Sequence, residues 1–346
     1  MDAPAERETL RALLALVEDP AAAGALGDET RALAVARRHR LTPLLSSIAG
    51  AALPAKLAAA ARADRMQTVA RNLVFRDAAA DAARALAAAG VDTIVLKGVA
   101  YEAVLYGASG VRPTSDVDLL VPADRRRAAF EALDRMGYEP RAAAPGFDEP
   151  DYHEVAWNRG GVELDLHLGL APRARAAIDL GDVWARRAPL ELAGAPVSRL
   201  SETHAAVFHT LHMAIDHFDV PALALVDLAR LLPDASSTAR AAEIARAWRV
   251  ARPLETALAL AAAFLPTWAR GQRPAPPTPR ARRIVDGYGA IAHVARLEQL
   301  RRKLEHFDTR LDAARYLAVQ ARRNARELWK TRVQPRSPRD RLDLVK

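Results

Sequence analysis

The chain of 346 residues is 51% hydrophobic, contains no cysteine and is only 5% aromatic. That composition can bury a large core, and it excludes global disorder, disulfides, thiolate metal sites, a cysteine nucleophile and an aromatic stacking platform for single-stranded nucleic acid. The net charge of +8 arises in one place: residues 301–346 carry 14 Lys or Arg against 6 Asp or Glu, while residues 1–300 balance at 36 against 36, so the basic character describes a terminal segment and not the fold.

The charged start, Met1-Asp2-Ala3-Pro4, has no apolar stretch followed by a cleavage site, and no uncharged apolar run approaches 18 residues. A cytoplasmic protein with no membrane span is expected. Residues 1–89 read as a helical region. Leu10, Leu13, Leu14 and Val17 recur at helical spacing, Pro20, Gly24, Gly27, Pro43 and Pro54 punctuate the pattern, and a long alanine-rich helix runs over about 55–89 to a C-cap at Gly90.

The texture changes at Val91, where an α/β unit over residues 90–195 is expected. Val91–Leu96 is short and β-branched, as in a buried strand. Lys97-Gly98 ends it, and Val99–Tyr106 reads as a helix closed by Gly107. A second strand follows at Asp116–Val121, then a helix from Pro122 to about Met136. Two further strands, near 152–158 and 162–168, are joined by a hairpin turn at Arg159-Gly160-Gly161. Helical pattern returns over 196–333, interrupted by a surface linker at Arg270–Arg280, which carries four prolines. A basic flexible tail closes the chain at 334–346. The fold class is α+β, with a small mixed sheet between flanking helical regions.

The chemistry concentrates on Asp116-Val117-Asp118. Alternate strand residues share a face, so two carboxylates stand side by side in a strand otherwise apolar. Crowded near a core they repel and lose hydration, and a hard divalent cation, magnesium or manganese, removes both costs. The glycine of Lys97-Gly98-Val99 sits at a strand-to-helix turn, where a phosphate can approach the backbone and meet the N–H groups opening the helix. Downstream, Glu163, Asp165 and His167 share one strand face, so a third carboxylate reaches the pair if that strand is its neighbour. Periodicity alone does not choose between Glu163 and Asp165.

The run Val95-Leu96-Lys97-Gly98, then Tyr106-Gly107, then Arg112-Pro113-Thr114-Ser115-Asp116-Val117-Asp118-Leu119-Leu120-Val121, resembles the DNA polymerase β-type nucleotidyltransferase superfamily. More narrowly, with Asp165-Leu166-His167, it is similar to a bacterial nucleotidyltransferase family of the Leu-Lys-Gly, Arg-Pro-x-Ser-Asp-x-Asp-Leu-Leu-Val, Asp-Leu-His type. The resemblance covers roughly residues 40–290. It implies metal-dependent transfer of a nucleoside monophosphate from an NTP, with ATP the foremost donor, to an acceptor hydroxyl or phosphate. Two magnesium or manganese ions would lie on Asp116, Asp118 and Asp165, and Asp165 would be the third ligand in preference to Glu163. Lys97, Gly98, Val99, Arg112 and Ser115 would border the nucleotide, and His167, His212 and Asp227 are accessory candidates. The superfamily's usual serine after the glycine is Val99 here, so that hydroxyl contact is missing.

Several of these residues also have plainer readings. Lys97 would supply charge to a triphosphate or snorkel from a strand end. Arg112 would hold a phosphate or pair with a carboxylate, and Ser115 would brace the turn. His209, His212 and Asp216 fall on one helical face, which suits packing against the catalytic unit better than a transition-metal site. Arg301, Arg302, Arg322, Arg323, Arg326 and Lys330 read as a solvated face with interleaved acids, so a nucleic-acid partner is not favoured. Two alternatives differ in class: an enzyme of toxin–antitoxin type that modifies RNA or protein, and a non-catalytic nucleotide-binding scaffold. The acceptor is open.

Overall fold

A computed structural model of the chain describes residues 3–21, 26–50, 52–141, 153–272, 274–289 and 304–333. Four helices lead: α1 (Ala3–Glu18), α2 (Glu29–Arg38), α3 (Thr42–Ile48) and α4 (Ala55–Ala88). The α/β unit follows, with β1 (Ile94–Val95), α5 (Lys97–Tyr101), β2 (Val117–Leu120), α6 (Arg126–Arg135), β3 (Glu139–Pro140), β4 (Glu154–Arg159), β5 (Val162–His167), α7 (Leu180–Ala185), β6 (Ala188–Leu192) and β7 (Ala195–Arg199). Helices close the described chain: α8 (Glu202–Ile215), α9 (Leu223–Leu231), α10 (Ala235–Ala247), α11 (Ala251–Phe264), α12 (Pro266–Gln272), α13 (Pro279–Gly287) and α14 (Arg310–Val333). None of the described helices is long and apolar enough to cross a membrane.

The strands form one seven-stranded mixed sheet in the order β3-β4-β5-β2-β1-β7-β6. β2 is central and all four of its residues are buried. It pairs antiparallel with β1 and parallel with β5, in a register that sets Asp118 beside Asp165. Alternation then sorts the side chains. Val117, Leu119, Leu164 and Leu166 enter an apolar cluster with Phe75, Ala79 and Leu86 of α4 and Leu133 of α6. Asp118, Asp165 and His167 are left on the opposite face. A one-residue slip of β5 would send Asp165 into that apolar cluster, so burial of the leucines fixes the register that positions the acids.

Leu120, on the acid-bearing face, belongs to a second cluster that also holds Leu13 of α1, Val35 of α2, Leu211 of α8, Val226 of α9 and Leu260 of α11. The first three helices and the later helical region thus share one core. The long α4 serves both clusters, through Leu57 and Ala61 near its start and Phe75 to Leu86 near its end.

The structure corrects several boundaries. The segment after Lys97 is one turn of α-helix running into a π-turn over Glu102–Tyr106, and Gly98 lies in a non-helical conformation (φ 17°, ψ −96°). The β6–β7 hairpin was not expected. Pro189 and Pro196 mask it in sequence, and proline is tolerated here because β6 is an edge strand and Pro196 lies near the strand start. The proline-rich stretch 270–280 is partly helical, since α12 ends at Gln272 and α13 begins at Pro279. The tail 334–346 lies outside the described residues, as do Arg301 and Arg302.

Candidate active site

The site grows from the central strand. Asp116 ends the loop before β2, Asp118 lies within β2, and Asp165 is its cross-strand partner on β5. One carboxylate oxygen from each comes within 4.8 Å of the other two, the one such group of metal-ligating side chains among the described residues. Asp118 is buried, and Asp116 and Asp165 are half-buried.

The three carboxylates are held differently. Asp118 Oδ1 lies 3.1 Å from Lys97 Nζ and 3.0 Å from His167 Nε2. Burial works to raise its pKa, but the Lys97 ammonium and the His167 hydrogen bond win and hold it well below the usual carboxylate range. With Asp118 ionised, His167 Nε2 donates to it, while His167 Nδ1 has no hydrogen-bond partner, with Glu154 Oε2 at 3.5 Å. Asp165 has no hydrogen-bond donor among the described residues, and burial together with the charge on Asp118 pushes it up to about 6. Burial and Asp118 raise Asp116 as well, against the opposing pull of Lys97. One strongly anionic group thus sits beside two that carry their charge at a cost. Three hard oxygens with this surplus of negative charge fit a divalent cation such as magnesium or manganese, which would relieve both raised groups.

Lys97 is neither free nor snorkelling. It opens α5, is largely buried, and is spent on Asp118; burial would lower its pKa, but Asp118 and Asp116 hold it above the ordinary value. The adjoining turn is tight. A β-carbon on Gly98 would meet Thr114 Cγ2 at 3.0 Å. Val99 packs into the cluster beneath α4, so the missing serine hydroxyl is replaced by a core side chain.

A cleft of about 250 Å³ opens beside the acids, walled by Gly98, Thr114 and Asp116 on one side and His212, Asp216 and Asp227 on the other. Arg112 locks the two walls together. Its guanidinium takes Asp227 through Nε at 3.1 Å and Nη2 at 2.9 Å, Tyr106 Oη donates to the same carboxylate at 2.5 Å, and the carboxylate is buried beneath a mostly covered guanidinium. Burial opposes the charge on Arg112, yet Asp227 raises its pKa. The loop carrying Arg112 is clamped from α4. The Asn72 amide donates to the Arg112 carbonyl at 2.8 Å and accepts from the Thr114 N–H at 3.1 Å.

The remaining expected residues separate cleanly. Glu163 lies outside the acidic group and pairs with Arg141 at the surface. Ser115 is exposed and donates to Asp116 Oδ1 at 3.1 Å. His209, His212 and Asp216 do not converge as ligands, because His209 Nε2 is spent on the Ala224 carbonyl at 2.8 Å and packs on Tyr101. His212 and Asp227 both line the cleft, and burial with the nearby Lys97 charge lowers the His212 pKa. Sequence reading missed Asn72, Thr114 and Arg40. A lone asparagine inside an alanine-rich helix was the available signal for the first.

The family model described as uncharacterised nucleotidyltransferase matches residues 27–266. The chain belongs to this nucleotidyltransferase family. The match takes in all three acids, the Lys97-Gly98 turn and the α8–α9 wall, so the cleft lies wholly within the nucleotidyltransferase region. Two solved structures are similar over rather more than half of this chain. An antigenic nucleotidyltransferase-like protein from Paracoccidioides brasiliensis is 18% identical, with 58% of this chain and 92% of that one covered and a TM-score of 0.39. The antibiotic-resistance factor ANT(2'')-Ia is 16% identical, with 53% and 91% covered and a TM-score of 0.34. No curated protein matches the chain.

Proposed function

We propose that this nucleotidyltransferase moves a nucleoside monophosphate from an NTP to an acceptor hydroxyl or phosphate at the Asp116–Asp118–Asp165 cluster. The observation that carries the reading is the convergence of three carboxylate oxygens within 4.8 Å, two of them from residues that line a cleft. Those three side chains would hold magnesium or manganese, which supplies charge neutralisation for the triphosphate and the leaving pyrophosphate. Asp118, fixed by Lys97 and His167, keeps its charge across the working pH range and gives the site its anionic anchor. Asp165, registered beside Asp118 on the neighbouring strand, would take the proton of an acceptor hydroxyl as its oxygen forms the new bond to phosphorus and pyrophosphate departs. The Lys97-Gly98 turn presents backbone to the phosphates without an intervening side chain.

The test incubates each α-labelled NTP with manganese or magnesium and a cell extract as acceptor source, comparing wild type with Asp118→Asn. Label transfer by wild type and a loss of at least about a hundredfold in the variant is the expected result. Equal labelling by both proteins removes the mechanism and leaves the nucleotide-binding scaffold.

A further inference from the structure

Arg40 occupies a backbone position that arginine fills at a cost. α2 ends with the Arg40 N–H donating to the Arg37 carbonyl at 3.0 Å and the Leu41 N–H donating to the Ala36 carbonyl at 2.8 Å. That double closure forces the residue between them into the left-handed region, and Arg40 has φ 57°. Glycine is the usual occupant because a β-carbon is disfavoured there. The neighbouring residue pins the position: the His39 carbonyl accepts from the Leu223 N–H at 3.2 Å, and His39 Nδ1 accepts from the Ala222 N–H at 3.1 Å. The Arg40 backbone is therefore anchored to the far wall of the cleft.

A second arginine provides the comparison. Arg249 fills the equivalent left-handed position after α10, with φ 58° and the same pair of closing hydrogen bonds. Its side chain reaches Asp312 at 3.3 Å, so an ion pair accounts for it. Arg40 has no such partner among the described residues. It is exposed, and it lines the same cleft as Gly98, Asp116 and Asp118. Three cationic side chains border that cleft. Lys97 is engaged by Asp118 and Arg112 by Asp227, which leaves Arg40 as the one with its donors unspent among the described residues.

We infer that Arg40 is the phosphoryl-binding cation of the cleft, its guanidinium fork taking the non-bridging oxygens of a phosphoryl group. That group belongs either to the triphosphate of the donor or to a phosphate carried by the acceptor, since both present the same chemistry. The inference rests on the transfer reading above and names a contact within it. It also explains the backbone conformation, because strain kept at a cleft edge is tolerated where the side chain is used.

The experiment compares wild type with Arg40→Gly and Arg40→Lys. Glycine adopts the left-handed conformation freely, so Arg40→Gly is expected to melt at or above the wild-type temperature. Titration calorimetry at low ionic strength would use magnesium-ATP, inorganic tripolyphosphate and AMP. Inorganic phosphate would also be titrated into protein saturated with a non-hydrolysable ATP analogue. Arg40→Gly is expected to weaken ATP and tripolyphosphate binding by about tenfold and leave AMP unchanged, with Arg40→Lys recovering part of the loss. A loss confined to inorganic phosphate on the analogue-loaded protein assigns the phosphoryl group to the acceptor and sustains the inference. Binding of every probe by Arg40→Gly as tightly as by wild type overturns the role of Arg40 alone, whereas wild type that binds none of the probes overturns the transfer reading with it.

Discussion

Substituting Asp165→Asn separates the charge of the third acid from its shape. Without a cation, burial and the Asp118 charge resist ionisation of Asp165 and push its pKa from the ordinary 3.8 up to about 6. A raised folded-state pKa means that protonation favours the fold. The associated stability is complete below about pH 4 and is lost as pH rises through about 6. That rise corresponds to a ceiling of about 3 kcal/mol, and the carboxylate's partial exposure reduces this to about 1–2 kcal/mol. Asparagine removes the ionisation, so the variant should be the more stable protein above pH 7, with the advantage vanishing near pH 4. For 346 residues at about 2.1 cal/mol/K each, the gain is about 1.5–3 °C in Tm. Thermal melts from pH 4 to 8.5 in chelator, repeated with excess manganese, provide the assay. Manganese should stabilise wild type and do little for the variant. Parallel pH profiles for the two proteins, or equal stabilisation by manganese, would refute the account of three mutually crowding acids that a divalent cation relieves.

Three further substitutions probe the frame around the acids. Lys97→Met removes the cation that occupies Asp118, so manganese binding to the nucleotide-free protein, followed by electron paramagnetic resonance, should tighten by about tenfold; unchanged or weaker binding contradicts competition between ammonium and metal. Asp227→Asn leaves the buried Arg112 guanidinium undercompensated and should cost about 3–5 kcal/mol in denaturant melts; a loss below about 1 kcal/mol would show that the pair does not lock the cleft walls. Gly110→Ala sets a methyl 2.2 Å from Val69 Cγ2 at a residue with φ 71°, and a loss of more than about 3 kcal/mol is expected in the same assay. Neutral behaviour there would mean that the 107–111 loop does not seat on α4 as described.

The acids were legible because strand alternation is a strong local rule. Asp116 and Asp118 had to share a face, and Leu164 and Leu166 left Asp165 only one side of β5 to occupy. The choice between Asp165 and Glu163 was not available from periodicity, since both point the same way from β5. It depends on position along the strand: Asp165 is registered against Asp118, whereas Glu163 lies two residues nearer the hairpin and finds Arg141. The partners of Lys97 and Arg112 were out of reach for another reason. Asp227 is 115 residues from Arg112, and only the packing of α9 over the cleft brings them together. Arg40 carries no sequence signal, because its significance lies in a backbone angle and in the absence of a neighbour. The β6–β7 hairpin failed at the level of composition, since its prolines are permitted only at strand ends and sheet edges.

The shared core of the first and last helices has a consequence for how the chain emerges during synthesis. α1 packs on α2 and α3 close by in the chain, and it is also held by residues made much later: Arg7 donates to the Asp286 carbonyl, Glu18 accepts from the N–H groups of Thr267 and Trp268 at 3.1 and 2.7 Å, and Leu10 packs near Gly289. At about 5–20 residues per second, the ribosome leaves the leucines of α1 without these partners for roughly 12–50 s. The face of α1 that meets α12 and α13 therefore stays uncovered until the chain has been made through Gly289, while its contacts with α2 and α3 can form early.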